Sequence, residues 1–108
     1  MTERAVIPRA LARLNIEDAL DHYGQQAGVN AALGFVDDLQ KAYALIADQP
    51  ASGLLRYAYE LGLPGLRTVR LKRHPYVIFY SEQADHIDVW RILHGKRDIP
   101  AWLQNSAD

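Results

Sequence analysis

The amino-acid sequence predicts an α+β fold. It reads as an N-terminal strand, an antiparallel two-helix hairpin packed on a twisted, mainly antiparallel sheet, and a short C-terminal helix. Three observations carry this. Apolar residues recur at helical spacing between Ile16 and Ile46. From Leu66 onward the period shifts towards alternation, with dense β-branched and aromatic runs. The strand-like segments follow one another through short connections, which favours antiparallel pairing of neighbours. With 108 residues, 49% of them apolar, residues 1–108 fit one domain around one core.

Ala5-Val6-Ile7 is the first strand signal; Pro8, which has no N–H, confines it to an edge or an end. Ile16, Ala19, Leu20, Tyr23 and Ala27 then fall on one helical face. Asn15 is placed to cap that helix, Glu17 and Asp18 suit its first turn, and Gly28 suits its stop. In the second helix Asn30 caps. Ala32, Phe35, Val36, Leu39, Tyr43 and Ile46 repeat on one side, while Asp37, Asp38, Gln40 and Lys41 point away. Pro50 and Gly53 end it.

Leu54–Tyr59 reads as a possible strand, and Gly62, Pro64 and Gly65 break the chain after it. Leu66–Leu71 alternates in part. Pro75–Tyr80 is the densest aromatic and β-branched run, and Gln83-Ala84-Asp85 makes a turn. In the last strand, His86–His94, strict alternation puts Ile87, Val89, Arg91 and Leu93 on one face. His86, Asp88, Trp90, Ile92 and His94 take the other. Asp98 caps a short helix through Leu103, with Pro100 in its first turn.

The chain has no cysteine, which removes disulfides, thiolate nucleophiles and cysteine zinc sites. The uninterrupted apolar runs are only a few residues long, so neither a signal peptide nor a membrane span is expected, and a cytoplasmic location is. The charge is uneven. Residues 1–53 hold four bases against seven acids, net −3; residues 54–108 hold eight bases against six acids, net +2. From Leu66 to Tyr80 stand Arg67, Arg70, Lys72 and Arg73 with no acid. This basic run is either a solvated strand face or a surface for an acidic partner or RNA. His74, His86 and His94 lie in the basic half. Histidine is the acid–base residue of neutral pH, yet strand-end histidines are more often structural. His86 and His94, eight apart on one strand, are up to ~26 Å apart, so no metal site and no cofactor is expected.

Four ordered segments resemble the RelE/ParE superfamily of type II toxins, and its ParE branch in particular. They are Pro50-x-x-Gly53, Leu63-Pro64-Gly65-Leu66-Arg67, Arg73-His74-Pro75-Tyr76-Val77-Ile78-Phe79-Tyr80, and Ile87-x-Val89-x-Arg91-Ile92-Leu93-His94-Gly95-x-Arg97-Asp98. The region around Ala42 is also similar. The resemblance implies the fold described above. It also implies a cognate antitoxin whose tail is disordered when free and whose DNA-binding domain carries the complex to the operator. ParE-like members poison DNA gyrase; RelE-like members cut mRNA on the ribosome.

RelE-type cleavage, as the resemblance implies it, relies on Arg, Lys and a C-terminal Tyr. Of these positions Arg97 is kept, while the strand Arg falls on Val77 and the Tyr on Leu103. Aliphatic side chains cannot neutralise a phosphorane or move a proton, so a non-catalytic gyrase inhibitor is expected. Two alternatives stay open: an mRNA endonuclease using Lys72, Arg73, His94 and Arg97, or a non-toxic antitoxin-binding co-repressor. Arg67, Arg70, Arg73, Arg91, Arg97 and Trp102 are the candidates for contact with target or antitoxin. Arg91 reads equally well as a buried arginine paired with an acid such as Asp98 or Glu60.

Overall fold

The computed structural model of the chain describes residues 4–96. Strand β1 (Ala5–Pro8) leads into helices α1 (Ala10–Ala27) and α2 (Val29–Asp48). A 3-10 turn (Pro50–Ser52) and a short helix, α3 (Arg56–Leu61), precede strands β2 (Arg67–Arg70), β3 (Tyr76–Glu82) and β4 (His86–His94). The sheet order is β1-β4-β3-β2. β1 runs parallel to β4, and the other pairs are antiparallel. The sheet is therefore mixed, with the Pro8 strand on an edge as its missing N–H requires. The expected C-terminal helix, with Asp98, Pro100 and Leu103, lies outside the described residues.

α1 and α2 fold back on each other through one residue. Gly28 sits at φ 90°, a backbone conformation open to glycine at little cost. Their inner faces bury Ala12, Ala19, Phe35, Leu39, Ala42 and Ile46 against Ile78, Tyr80, Ile87, Val89 and Ile92 of the sheet. Of these helix residues the periodicity predicts Ala19, Phe35, Leu39 and Ile46; Ala12 and Ala42 lie outside the predicted sets, and Ala27, inside them, is exposed.

The structure differs from expectation at five places. First, α1 begins at Ala10 rather than after Asn15. The chain turns straight out of the sheet, the Arg9 N–H still bonded to the Val89 carbonyl at 2.9 Å, which leaves Asn15 inside the helix. Second, Gly28 rather than Asn30 precedes α2. Third, Asp38 does not point away; it is 4% exposed. Fourth, Leu54–Tyr59 is not a strand. Only Leu54 bridges to Thr68, and α3 follows. Leu55, Ala58 and Leu61, spaced by three, pack on the sheet face opposite the hairpin, with Leu66, Val77, Phe79 and Leu93. The sheet thus has two covered faces and a second, smaller core.

Fifth, β4 does not alternate throughout. Phe79 pairs with Arg91 and Tyr80 with Val89, so Trp90 is an extra residue, a β-bulge. One inserted residue flips every side chain beyond it. Ile92 therefore joins Ile87 and Val89 in the first core, and Leu93 joins Trp90 at the second.

Candidate functional site

One end of the sheet gathers most of the basic segment. It comprises Arg70 at the end of β2, the Leu71–Pro75 loop, the start of β3 and the end of β4. The Gly95 N–H donates to the Pro75 carbonyl at 2.8 Å, tying the β4 end to the loop. A Cβ on Gly95 would lie 3.7 Å from Arg70 Nη2, so Arg70 reaches the same corner.

Asp38 shapes the loop. From α2, its Oδ1 accepts the Lys72 N–H (3.3 Å), and its Oδ2 accepts the Arg73 N–H (2.9 Å) and meets His74 Nδ1 (2.7 Å). Burial pushes this carboxyl up. The hydrogen bonds from His74, Arg73 and Lys72, with the His74 charge, outweigh burial and hold it below its ordinary value. The His74 ring packs edge-on to Tyr23 and Phe35, at 5.0 and 5.5 Å between centroids. The backbone is clamped inward, and the Lys72 and Arg73 side chains stand exposed.

Arg70, Lys72, Arg73 and Lys96 are exposed, and none has an acidic partner among the described residues. Beside them, between α2 and β2, lies a groove of about 130 Å³. Ala42, Leu45 and Val69 form its apolar floor, and Lys41, Arg70 and Lys72 its rim. On the opposite sheet face a cleft of about 600 Å³ is lined by Leu54, Arg56, Tyr57, Thr68, Arg70 and Val77. Val77 is 6% exposed there and belongs to the second core.

The other predicted residues divide. Arg67 donates to the Ala51 and Gly53 carbonyls, bracing the turn before α3. Arg91, 4% exposed, donates through Nε to Asn15 Oδ1 at 2.9 Å; Asp98, one of the acids expected to pair with it, lies outside the described residues. Glu60 pairs instead with Arg56, four residues before it. His86 meets Asp85 away from the basic end. His94, half-buried, accepts the Lys96 N–H and packs edge-on to Tyr76. Arg97, Trp102 and Leu103 lie outside the described residues.

Sequence reasoning missed Asp38, Asn15 and Lys96, and also Asp18 and His22, which line a cleft with His94. The only signal was the four-residue spacing of Asp18 and His22 on α1. No three His, Cys, Asp or Glu side chains converge to hold a metal among the described residues. No described helix is long and apolar enough to cross a membrane.

Compared with known proteins, residues 6–99 match the family described as "ParE toxin of type II toxin-antitoxin system, parDE". The chain belongs to this family. A solved structure, "Chromosomal ParDE TA system from P. aeruginosa", superposes on this ParE-family chain with a TM-score of 0.70. The identity is 23%, over 85% of this chain and 96% of that one. No curated protein gives a significant match. The type II toxin resemblance read from the four segments is thereby established, and with it the α+β architecture of the described residues.

Proposed function

We propose that this ParE-family toxin inhibits DNA gyrase without itself catalysing a reaction, acts in the cytoplasm, and is neutralised by a cognate antitoxin that carries the complex to operator DNA. The observation that carries the reading is the basic end of the sheet. Four cations without acidic partners among the described residues stand at that end, with an apolar groove beside Arg70 and Lys72, and the Val77 position that a RelE-type nuclease would fill with arginine is packed with aliphatic and aromatic neighbours. A toxin that acts by binding needs an exposed charged surface and no acid–base pair.

The antitoxin tail fits the α2–β2 groove. An amphipathic segment would bury its apolar side on Ala42, Leu45 and Val69 and set acids against Lys41, Arg70 and Lys72. Such a segment, disordered when free, gains its order from this contact.

Purified toxin added to gyrase and relaxed plasmid should suppress supercoiling or accumulate linear DNA, and added antitoxin should reverse the effect. Normal supercoiling at saturating, correctly folded toxin would overturn the reading. New mRNA ends inside codons after induction would favour the nuclease alternative.

A further inference from the structure

β2 is the outer strand of the described sheet, and its free edge is covered at one residue. There the Leu54 N–H donates to the Thr68 carbonyl at 3.0 Å, and the Thr68 N–H donates to the Leu54 carbonyl at 2.9 Å. Leu71 faces the other way, its N–H donating to the Tyr76 carbonyl of β3 at 3.0 Å. Main-chain groups alternate in direction along a strand, so Arg70 faces outward as Thr68 does. Among the described residues nothing bonds the Arg70 N–H or carbonyl.

Two hollows meet across this edge. The α2–β2 groove opens on the hairpin face and the cleft of about 600 Å³ on the α3 face, and Leu45, Val69 and Arg70 line both. Successive side chains of a strand take opposite faces. A strand laid beside Arg70 would therefore place its side chains alternately over Ala42, Leu45 and Val69, and over Leu54, Tyr57 and Val77. Leu54 is 68% exposed, so apolar surface there remains to be covered. Asp38 is the one carboxylate in either lining, and Lys72, Arg73 and His74 already bond it. The cations Arg70 and Lys72 have no acidic partner among the described residues.

We propose that the antitoxin tail crosses this edge as an added strand, pairing with the Arg70 main chain and filling both hollows. The inference rests on the assignment of the tail to the α2–β2 groove, and adds its conformation, its anchor and a second contact face. Strand addition draws affinity from main-chain hydrogen bonds and specificity from alternate side chains. A tail that is disordered when free has its main chain to offer, whereas a folded enzyme surface has most of its own already paired. A second copy fits poorly, because pairing β2 with β2 would bring the Arg70 side chains of the two copies together. The segment is covered on both faces, so it should read as a short apolar run, flanked by acids for Arg70 and Lys72.

The test compares R70P with R70Q in the full-length toxin, titrated calorimetrically with the cognate antitoxin. Both variants lose the cation; only R70P loses the N–H. Proline is accepted on an edge strand where the N–H faces outward, so R70P should stay folded, as a thermal melt checks. R70Q should weaken binding severalfold, and R70P about tenfold more than R70Q. L54E, at an exposed position with its main-chain bonds kept, should also weaken binding about tenfold. Hydrogen exchange needs no variant: the Arg70 amide should exchange about a hundredfold more slowly in the toxin–antitoxin complex than in free toxin. Equal antitoxin binding by folded R70P and R70Q, or an Arg70 amide left unprotected in the complex, would overturn the added strand. If R70E/K72E/R73E then still weakens binding, the groove assignment stands without the strand; if it does not, both fall. A toxin dimer that R70P disrupts would overturn the proposal in favour of a second copy. Loss of gyrase inhibition in R70P with antitoxin binding intact would overturn it in favour of gyrase.

Discussion

Asp38 Oδ2 lies 2.7 Å from His74 Nδ1, and the same carboxylate accepts the Lys72 and Arg73 N–H groups. One acid from α2 thus organises the segment that is most basic in sequence. It ties the loop backbone to the helical layer and leaves the basic side chains outside. The arrangement separates fold from surface: the loop is held by main-chain groups, so its side chains are available for a partner.

Removing that carboxylate should destabilise the protein markedly. In D38A two backbone N–H groups and an imidazole lose their acceptor at a site only 4% exposed. The cost should be about 3 kcal/mol, which lowers the melting temperature by roughly 12–20 °C in a domain of this size. D38N keeps one acceptor oxygen and should cost less. The folded carboxyl titrates below its ordinary value of 3.8. Its contribution is therefore fully present above that pH and is lost as the pH falls through the lower folded value. Thermal melts of wild type and D38N across pH 2–6 check the sign: the difference should shrink only at the acid end.

Gly53 and Tyr80 form a second clamp. The Tyr80 hydroxyl accepts the Gly53 N–H at 3.1 Å and donates to the Pro50 carbonyl at 2.7 Å. Burial pushes this phenol up, against the opposing pull of the Gly53 N–H and Arg67. A Cβ on Gly53 would overlap the Tyr80 hydroxyl and sit 3.0 Å from Arg67 Cβ. G53A should therefore cost about 2–3 kcal/mol through overpacking, and Y80F about 1–2 kcal/mol through the unsatisfied amide. Chemical denaturation measures both. The double variant should cost less than the two added together, because removing the hydroxyl makes room for the methyl.

These clamps show what the sequence reveals and what it hides. The Pro50-x-x-Gly53 spacing was visible as a family feature, but its reason is the hydroxyl of Tyr80, twenty-seven residues away. The two long helices and all four strands were legible, from apolar period and from β-branched and aromatic content. α3 was not, since its six residues carry as much strand-like as helical character; the Arg56–Glu60 spacing and the Gly62 stop were the signals to weigh. Trp90 hid the bulge, because an aromatic residue suits a regular strand equally well. Arg70 and Arg73 were found as surface cations by charge counting alone. Asp38 was missed because a helix-borne acid looks solvated until its distant partners are known.

Asn15 joins α1 to β4 where β1 ends. Pairing of β1 with β4 stops at Pro8 and Val89. Beyond it, Asn15 Oδ1 accepts both the Ile92 N–H at 3.1 Å and Arg91 Nε at 2.9 Å. N15A leaves a buried guanidinium and an amide short of an acceptor, at a cost of about 2–3 kcal/mol. N15D keeps the oxygen and adds a charge opposite to Arg91, so it should be far better tolerated. A ranking with N15D at or below N15A in melting temperature would contradict this role.

Charge reversal at the basic end should separate binding from folding. Arg70, Lys72 and Arg73 are exposed side chains without acidic partners among the described residues, so R70E/K72E/R73E should stay within about 1–2 kcal/mol of wild type. The Asp38 clamp survives, because it uses the Lys72 and Arg73 main chain and not their side chains. Binding of an acidic antitoxin tail should nevertheless fall by more than tenfold, since three attractions become three repulsions. Wild-type affinity should weaken as salt is raised, because exposed charges are screened beyond about 8 Å at physiological ionic strength. The variant's affinity should lose that dependence or reverse it. Calorimetric titration of the antitoxin at low and high salt reads both effects. Unchanged affinity in a folded variant would move the antitoxin away from the α2–β2 groove.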